Sequence, residues 1–213
     1  MTSDALAHLQ TDPVLAQIIA ETPLIKPAAS FIDVPEADRL YLALLESIVS
    51  QQISVKAADA IFRRFRMLFS ETAEAEGYPS PAQLLLKTTD ELRSAGLSFQ
   101  KIKYLQSVAE FALANPLTIA HVSEMTDEEV VQYLLPIKGV GRWTVEMLLM
   151  FVLDRPDVFP VDDLVVRQKI VRAYDLTETG RPLYKRLQEI AAPWRPYRTL
   201  ACRYFWRWKP LAS

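Results

Sequence analysis

A single cysteine stands among 213 residues, with two histidines and five glycines. One thiol excludes a disulfide framework, a zinc ribbon and a cysteine-ligated iron–sulfur cluster. His8 and His121 are the only imidazoles, so no side-chain cluster reaches metal-ligand spacing, and neither a side-chain metal site nor a cofactor is expected. Long apolar runs are missing too. None approaches the ~20 residues that span a bilayer, and the N-terminal MTSDALAHLQ lacks the basic-then-apolar pattern of a signal. Scarce glycine argues against hairpin-rich β architecture. Excess charge is also absent: 24 basic against 26 acidic side chains leave −2, which excludes a polybasic coat for nucleic acid and a solvated, unfolded chain. What remains is a globular chain, half hydrophobic, expected in the reducing cytoplasm with no membrane association. It is long enough to bury about 70% of its unfolded surface in one domain or two small lobes.

Apolar residues recur at helical spacing. Leu40, Leu44, Leu45, Ile48 and Val49 form one stripe, and Ile53, Ala57, Ala60, Ile61, Phe65 and Leu68 a second with Arg63, Arg64 and Arg66 outside it. A third runs from about Phe99 to Ala114 and stops at Asn115-Pro116. Thr88-Thr89-Asp90-Glu91 and Thr126-Asp127-Glu128-Glu129 both fit the capping box, with glutamate three residues after threonine. The helix after Thr126 should end at Pro136 or just after it. The spacing therefore predicts an all-α chain. Two proline-bearing seams, Asp33 to Asp38 and Asp154 to Pro160, divide it. They predict a central helical lobe of 38–155, with a second lobe of 1–37 plus 156–213 formed by both chain ends.

Charge is unevenly placed. Residues 1–38 hold six acids and Lys26, whereas Arg181 to the end holds eight basic residues and one acid, Glu189. Trp194, Tyr197, Tyr204, Phe205, Trp206 and Trp208 interleave that basic stretch. Such a composition fits a nucleic-acid surface. Taken alone, it more often marks a helix that buries aromatics and solvates arginines.

The most informative segment is LLPIKGVGRWTV, Leu134 to Val145. A capped helix ends, Gly139-Val140-Gly141 turns, and Arg142-Trp143-Thr144 opens an apolar helix through Phe151. Glycine permits positive φ and close approach of a partner to the main chain. The amides at the start of the second helix form a ready phosphate site. Farther on, Asp157 to Leu164 reads DVFPVDDL, and upstream stands Ser50-Gln51-Gln52-Ile53-Ser54.

The hairpin segment resembles the helix-hairpin-helix motif (about 126–153) of the HhH-GPD base-excision DNA glycosylases. The DVFPVDDL stretch resembles the Pro-rich loop and aspartate that complete the family signature. Ser50 to Ser54, together with Trp194-Arg195-Pro196-Tyr197-Arg198 and Trp206, resembles the 3-methyladenine DNA glycosylase II (AlkA-type) branch. The matches run in order across about 38–208. The resemblance implies a two-lobed helix-hairpin-helix fold with its active site in the cleft between lobes, in a short form lacking the N-terminal β domain of longer relatives. It implies a monomer acting on double-stranded DNA that contains alkylated bases.

Residue by residue, the resemblance makes Asp163 the catalytic aspartate and Asp162 its structural neighbour. Breaking an N-glycosidic bond develops positive charge on the sugar, which a fixed anion stabilises. Read without the family, Asp163 is an N-cap for Leu164-Val165-Val166, and the two roles are compatible. Trp143 and Trp206 match pocket positions, where aromatic faces suit a cationic base; core packing is the other reading. Met147 stands where relatives carry a pocket aromatic. Gln52 matches the side chain that fills the gap left by a flipped nucleotide, against a helix cap. Lys138, Gly139, Val140, Gly141, Arg142 and Thr144 match the phosphate-binding hairpin, Lys138 replacing the usual proline. That hairpin often holds a monovalent cation on main-chain carbonyls. Trp143 occupies the place of the Schiff-base lysine of bifunctional relatives, so hydrolysis without strand cleavage is implied. The alternatives are a non-catalytic DNA-binding module, a glycosylase for uracil or oxidised guanine, and a helical protein-interaction domain that leaves these placements as coincidences.

Overall fold

Many helix starts in this chain are set by side chains that satisfy the first-turn amides. The computed structural model describes residues 3–22, 36–70 and 77–209, and every regular element among them is helical. Asp12 links α1 (Ser3–Leu9) to α2 (Pro13–Glu21), its Oδ1 accepting from the Val14 and Leu15 amides at 3.0 and 3.1 Å. Next come α3 (Glu36–Ser50) and α4 (Val55–Met67), the latter capped by Ser54. Short α5 (Pro81–Leu86) and α6 (Thr89–Ser94) precede the long α7 (Phe99–Ala114), followed by α8 (Ile119–Ser123) and α9 (Asp127–Leu134). Capping boxes form at Thr88 and Thr126, as their spacing predicts, and a third forms at Ser80 with Gln83. The chain continues through α10 (Arg142–Phe151), α11 (Leu164–Ala173), α12 (Gly180–Ala191), a 3-10 turn at Ala192–Trp194, and α13 (Arg198–Arg207). No helix among the described residues is long and apolar enough to cross a membrane.

The described residues cluster into two units, one of 36–70 with 77–148 and the other of 3–22 with 149–209. Of the expected seam at 33–38, residues 33–35 lie outside the described residues and 36–38 already belong to α3. That at 154–160 is non-helical, as its prolines dictate.

In the first unit α3 is buried on all sides over Leu40–Leu45, then at Ile48 and Val49, and so forms the central rod. It packs against α4, α7 and α8, with Ile102, Leu105, Val108 and Ala109 facing inward from α7. Each such leucine contributes about 1.5–3 kcal/mol of burial.

The other unit is organised by polar pins. Asp12 Oδ2 accepts from the Trp194 indole at 3.0 Å and the Tyr174 hydroxyl at 2.6 Å. Burial, with Asp12 alongside, raises the Tyr174 hydroxyl above its ordinary range. Trp194, Tyr204 and Phe205 are fully buried. The aromatic run of the C-terminus is therefore largely core, and only part of it faces solvent. Arg198 forks onto Asp157 (2.6 and 2.9 Å) and the Asp157 carbonyl (2.6 Å), while the Thr199 hydroxyl donates to the Arg155 carbonyl and accepts from the Val158 amide. The 154–160 segment is thus clamped to α13 just before it reaches Asp163.

Candidate active site and nucleic-acid interface

Asp163 sits where the clamped segment turns into α11, its amide donating to the Pro160 carbonyl at 2.9 Å. Its Oδ1 accepts from the Val166 amide at 2.8 Å, so the N-cap role is realised. A second donor reaches the same oxygen from α13: the Trp206 indole N–H, at 3.0 Å. The residue is 7% exposed. The result is a carboxylate withdrawn from bulk water and fixed by two N–H groups, suited to stabilising positive charge. Trp206 is half-buried, its ring tilted against Phe151 with centroids 5.6 Å apart. Asp162 is exposed, and its carbonyl lies 3.5 Å from the Arg167 guanidinium, which donates to the Tyr184 hydroxyl.

The hairpin belongs to the unit built on α3. After α9 the chain tightens through Ile137 amide to Leu134 carbonyl and Val140 amide to Ile137 carbonyl, both 3.1 Å. Gly139 takes φ +87°, and a Cβ there would lie 2.3 Å from the Tyr104 ring. Gly141 is different. A Cβ there meets nothing within 4 Å, and its carbonyl receives the Val145 amide as α10 begins. Lys138 is exposed, while the Val140 and Thr144 side chains are buried and anchor the turn from beneath. Arg142 makes a two-pronged ion pair with Glu128 of α9 (2.9 and 2.8 Å), which holds that carboxyl down to about 2.

Beside the hairpin lies the turn between α3 and α4. Gln52 is exposed at φ 60°, a left-handed conformation that costs a non-glycine residue about 1–2 kcal/mol. Ser54, not Gln52, caps the start of α4, and Gln52 stands just past the last turn of α3, where a left-handed residue ends a helix. Gln51 Nε2 donates to the Gly139 carbonyl at 3.0 Å, tying turn to hairpin. That carbonyl is one acceptor a hairpin cation could draw on. Gln52, Gly141, Trp143 and Ser50 share the lining of a concavity of about 440 Å³. Trp143 is 42% exposed and so is not a core residue. Met147, half-buried one turn on, does not line that concavity.

Sequence reasoning missed two residues here. Gln51 was legible only as half of a glutamine pair, because its partner lies 88 positions away. Glu146 is a buried acid on α10, whose one signal is an isolated charge within Val145-Glu-Met-Leu-Leu-Met.

The family profile described as HhH-GPD superfamily base excision DNA repair protein matches residues 45–196, which take in the Gln52 turn, the hairpin and Asp163. The chain belongs to the HhH-GPD superfamily. Among relatives of this HhH-GPD protein, DNA-3-methyladenine glycosylase 1 of Schizosaccharomyces pombe is 36% identical over 175 residues, 81% of this chain and 74% of that one. A solved structure of Schizosaccharomyces pombe 3-methyladenine DNA glycosylase (Mag1) with abasic DNA superposes with TM-score 0.78 at 30% identity, covering 96% of this chain and 95% of the other. A DNA-3-methyladenine glycosidase from Bacillus halodurans gives TM-score 0.79 at 31% identity, covering 96% and 88%.

Proposed function

We propose that this HhH-GPD protein is a monofunctional DNA glycosylase that hydrolyses the bond between deoxyribose and an alkylated base in duplex DNA, leaving an abasic site. The observation that carries this reading is the buried Asp163 carboxylate, fixed by the Val166 amide and the Trp206 indole. The relatives named as 3-methyladenine glycosylases support the choice of lesion.

The chemistry asks little else of the protein. An alkylated purine such as 3-methyladenine or 7-methylguanine is cationic, and it departs as a neutral molecule, so bond breaking needs no proton donor. As the C1′–N bond breaks, positive charge spreads over C1′ and the ring oxygen of the sugar. Asp163 stabilises that charge without reorganising, which is where a fixed anion contributes most. Water then forms the new C–O bond to C1′ and releases one proton. The base must leave the stack first. Gln52, presented on a strained turn, is suited to fill the vacated space. Trp143 in one unit, and Trp206 beside Asp163 in the other, each offer an electron-rich face to a cation. Met147 leaves more room than an aromatic at its position. Gly139 and Gly141 shape the hairpin, with Lys138 and the α10 amides of Arg142 and Thr144 toward a phosphate and Val140 as anchor. Tryptophan at 143 cannot form a Schiff base, which supports hydrolysis without strand cleavage.

The test is a panel of duplexes carrying 3-methyladenine, 7-methylguanine, 1-methyladenine, hypoxanthine or uracil, with products identified. Wild type is expected to release the cationic bases and leave an unbroken strand with an abasic site. Asp163→Asn should lower kcat by about 10²–10³-fold, the scale of losing one preorganised electrostatic group, while binding to abasic duplex survives. Absence of release from every duplex sinks the enzymatic reading in favour of a binding module.

A further inference from the structure

The geometry points to Trp206 as a positioning residue for Asp163, one that aims the carboxylate rather than chiefly gripping the base. This rests on the reading of Asp163 as the catalytic anion. An N-cap bond alone leaves a carboxyl group free to turn about its Cβ–Cγ bond. Here Oδ1 accepts from the Val166 amide at 2.8 Å and from the Trp206 indole at 3.0 Å, donors that come from two different helices. Two donors on one oxygen fix the plane of the group and so the direction of Oδ2.

The tryptophan is itself held at both ends. Its ring leans on Phe151, whose face also carries the Arg203 guanidinium at 5.7 Å from the centroid. Its carbonyl accepts from the Lys169 ammonium at 2.8 Å, and the same ammonium donates to the Trp208 carbonyl at 2.6 Å. Lys169 lies on α11, the helix that Asp163 caps. The two helices are therefore joined twice through one residue, once by its indole and once by its main chain. That is the arrangement of a bracket. A side chain kept only for its aromatic face needs no such fixing of its N–H. Indole N–H, moreover, donates and never accepts, so the bond runs in one direction only, from ring to carboxyl oxygen.

Trp206→Phe removes the N–H and keeps a ring against Phe151, so it isolates the proposed role. Thermal melting and affinity for abasic duplex establish that the variant is folded and binds. With 7-methylguanine duplex as substrate, kcat should fall about 10- to 100-fold with KM within about twofold of wild type. In an Asp163→Asn background the same change should cost nothing further, because the two residues act as one unit. The Trp206 indole N–H resonance, assigned by its loss in Trp206→Phe, should move upfield in Asp163→Asn. Wild-type kcat in Trp206→Phe, a full additive loss in the double variant, or an indole resonance indifferent to Asp163→Asn each overturns the proposal while the enzymatic reading stands. A wild type that releases no base overturns that reading, and this proposal with it.

Discussion

A methyl group placed on Gly139 meets the Tyr104 ring at 2.3 Å, whereas one on Gly141 meets nothing within 4 Å. Gly139 also holds φ +87°, so the fold itself demands glycine there. No described residue crowds position 141, and the open space beside it is what close approach of a phosphate requires. The two substitutions should separate stability from binding. Gly139→Ala is expected to cost more than about 1 kcal/mol, from the left-handed backbone and the displaced ring, and to lower the melting temperature by about 2–4 °C or more. Gly141→Ala should melt close to wild type yet bind abasic duplex about tenfold more weakly. Unaltered binding by Gly141→Ala would remove the hairpin from the interface. The sequence shows both glycines but cannot tell them apart, because the difference comes from Tyr104 on another helix.

Two helices begin where a glutamate three residues on closes the first turn, and that pairs structure with pH. Thr88 with Glu91 and Thr126 with Glu129 form reciprocal boxes. The Thr88 amide and hydroxyl, with Lys87, hold Glu91 down to about 2, and the Thr126 amide and hydroxyl lower Glu129 likewise. A lowered carboxylate contributes stability that is present above its ordinary 4.5 and lost as pH falls toward the folded value. Melting curves from pH 7 to 2 should therefore drop most steeply below pH 4.5. A Glu91→Gln, Glu129→Gln variant should start lower at pH 7, fall less, and meet wild type near pH 2. Parallel curves would deny these caps a pH-linked share. Such elements were legible because their determinants span three residues: both boxes and the α7 limits, Phe99 to Ala114, follow from spacing alone. The bonds of Gln51 to Gly139 and Trp206 to Asp163 join residues 88 and 43 positions apart. No local pattern encodes them. The C-terminal aromatics were ambiguous for the same reason, since burial of Trp194 depends on Asp12 at the other end of the chain.

Across the whole molecule the net charge of −2 hides an acidic start and a basic finish, and both ends enter the same unit. There the acids of the first residues are already engaged: Asp12 by Trp194 and Tyr174, Glu21 by the Trp208 indole at 3.1 Å. Many of the bases are engaged as well. Asp157 takes Arg195 and Arg198, and Glu189 lies 3.4 Å from Arg186 and 3.9 Å from Lys185. Four of the eight C-terminal bases thus already hold an acid of their own unit. Arg142 at the hairpin is likewise paired, with Glu128. On the proposed glycosylase function, DNA contact rests on amide groups and a few exposed cations such as Lys138. Each neutralised phosphate contributes about 0.9 to the slope of log K against log salt, so two or three contacts give a slope of about −2 to −3. Titrating abasic duplex by fluorescence anisotropy between 50 and 200 mM KCl, roughly the range over which polybasic binders lose 10³–10⁵ in affinity, measures it. Lys138→Gln should make the slope shallower by about one. A wild-type slope steeper than about −6 would mean that the arginines now paired with Asp157, Glu189 and Glu128 exchange those partners for phosphates, and that the charge of the C-terminus is an interface after all.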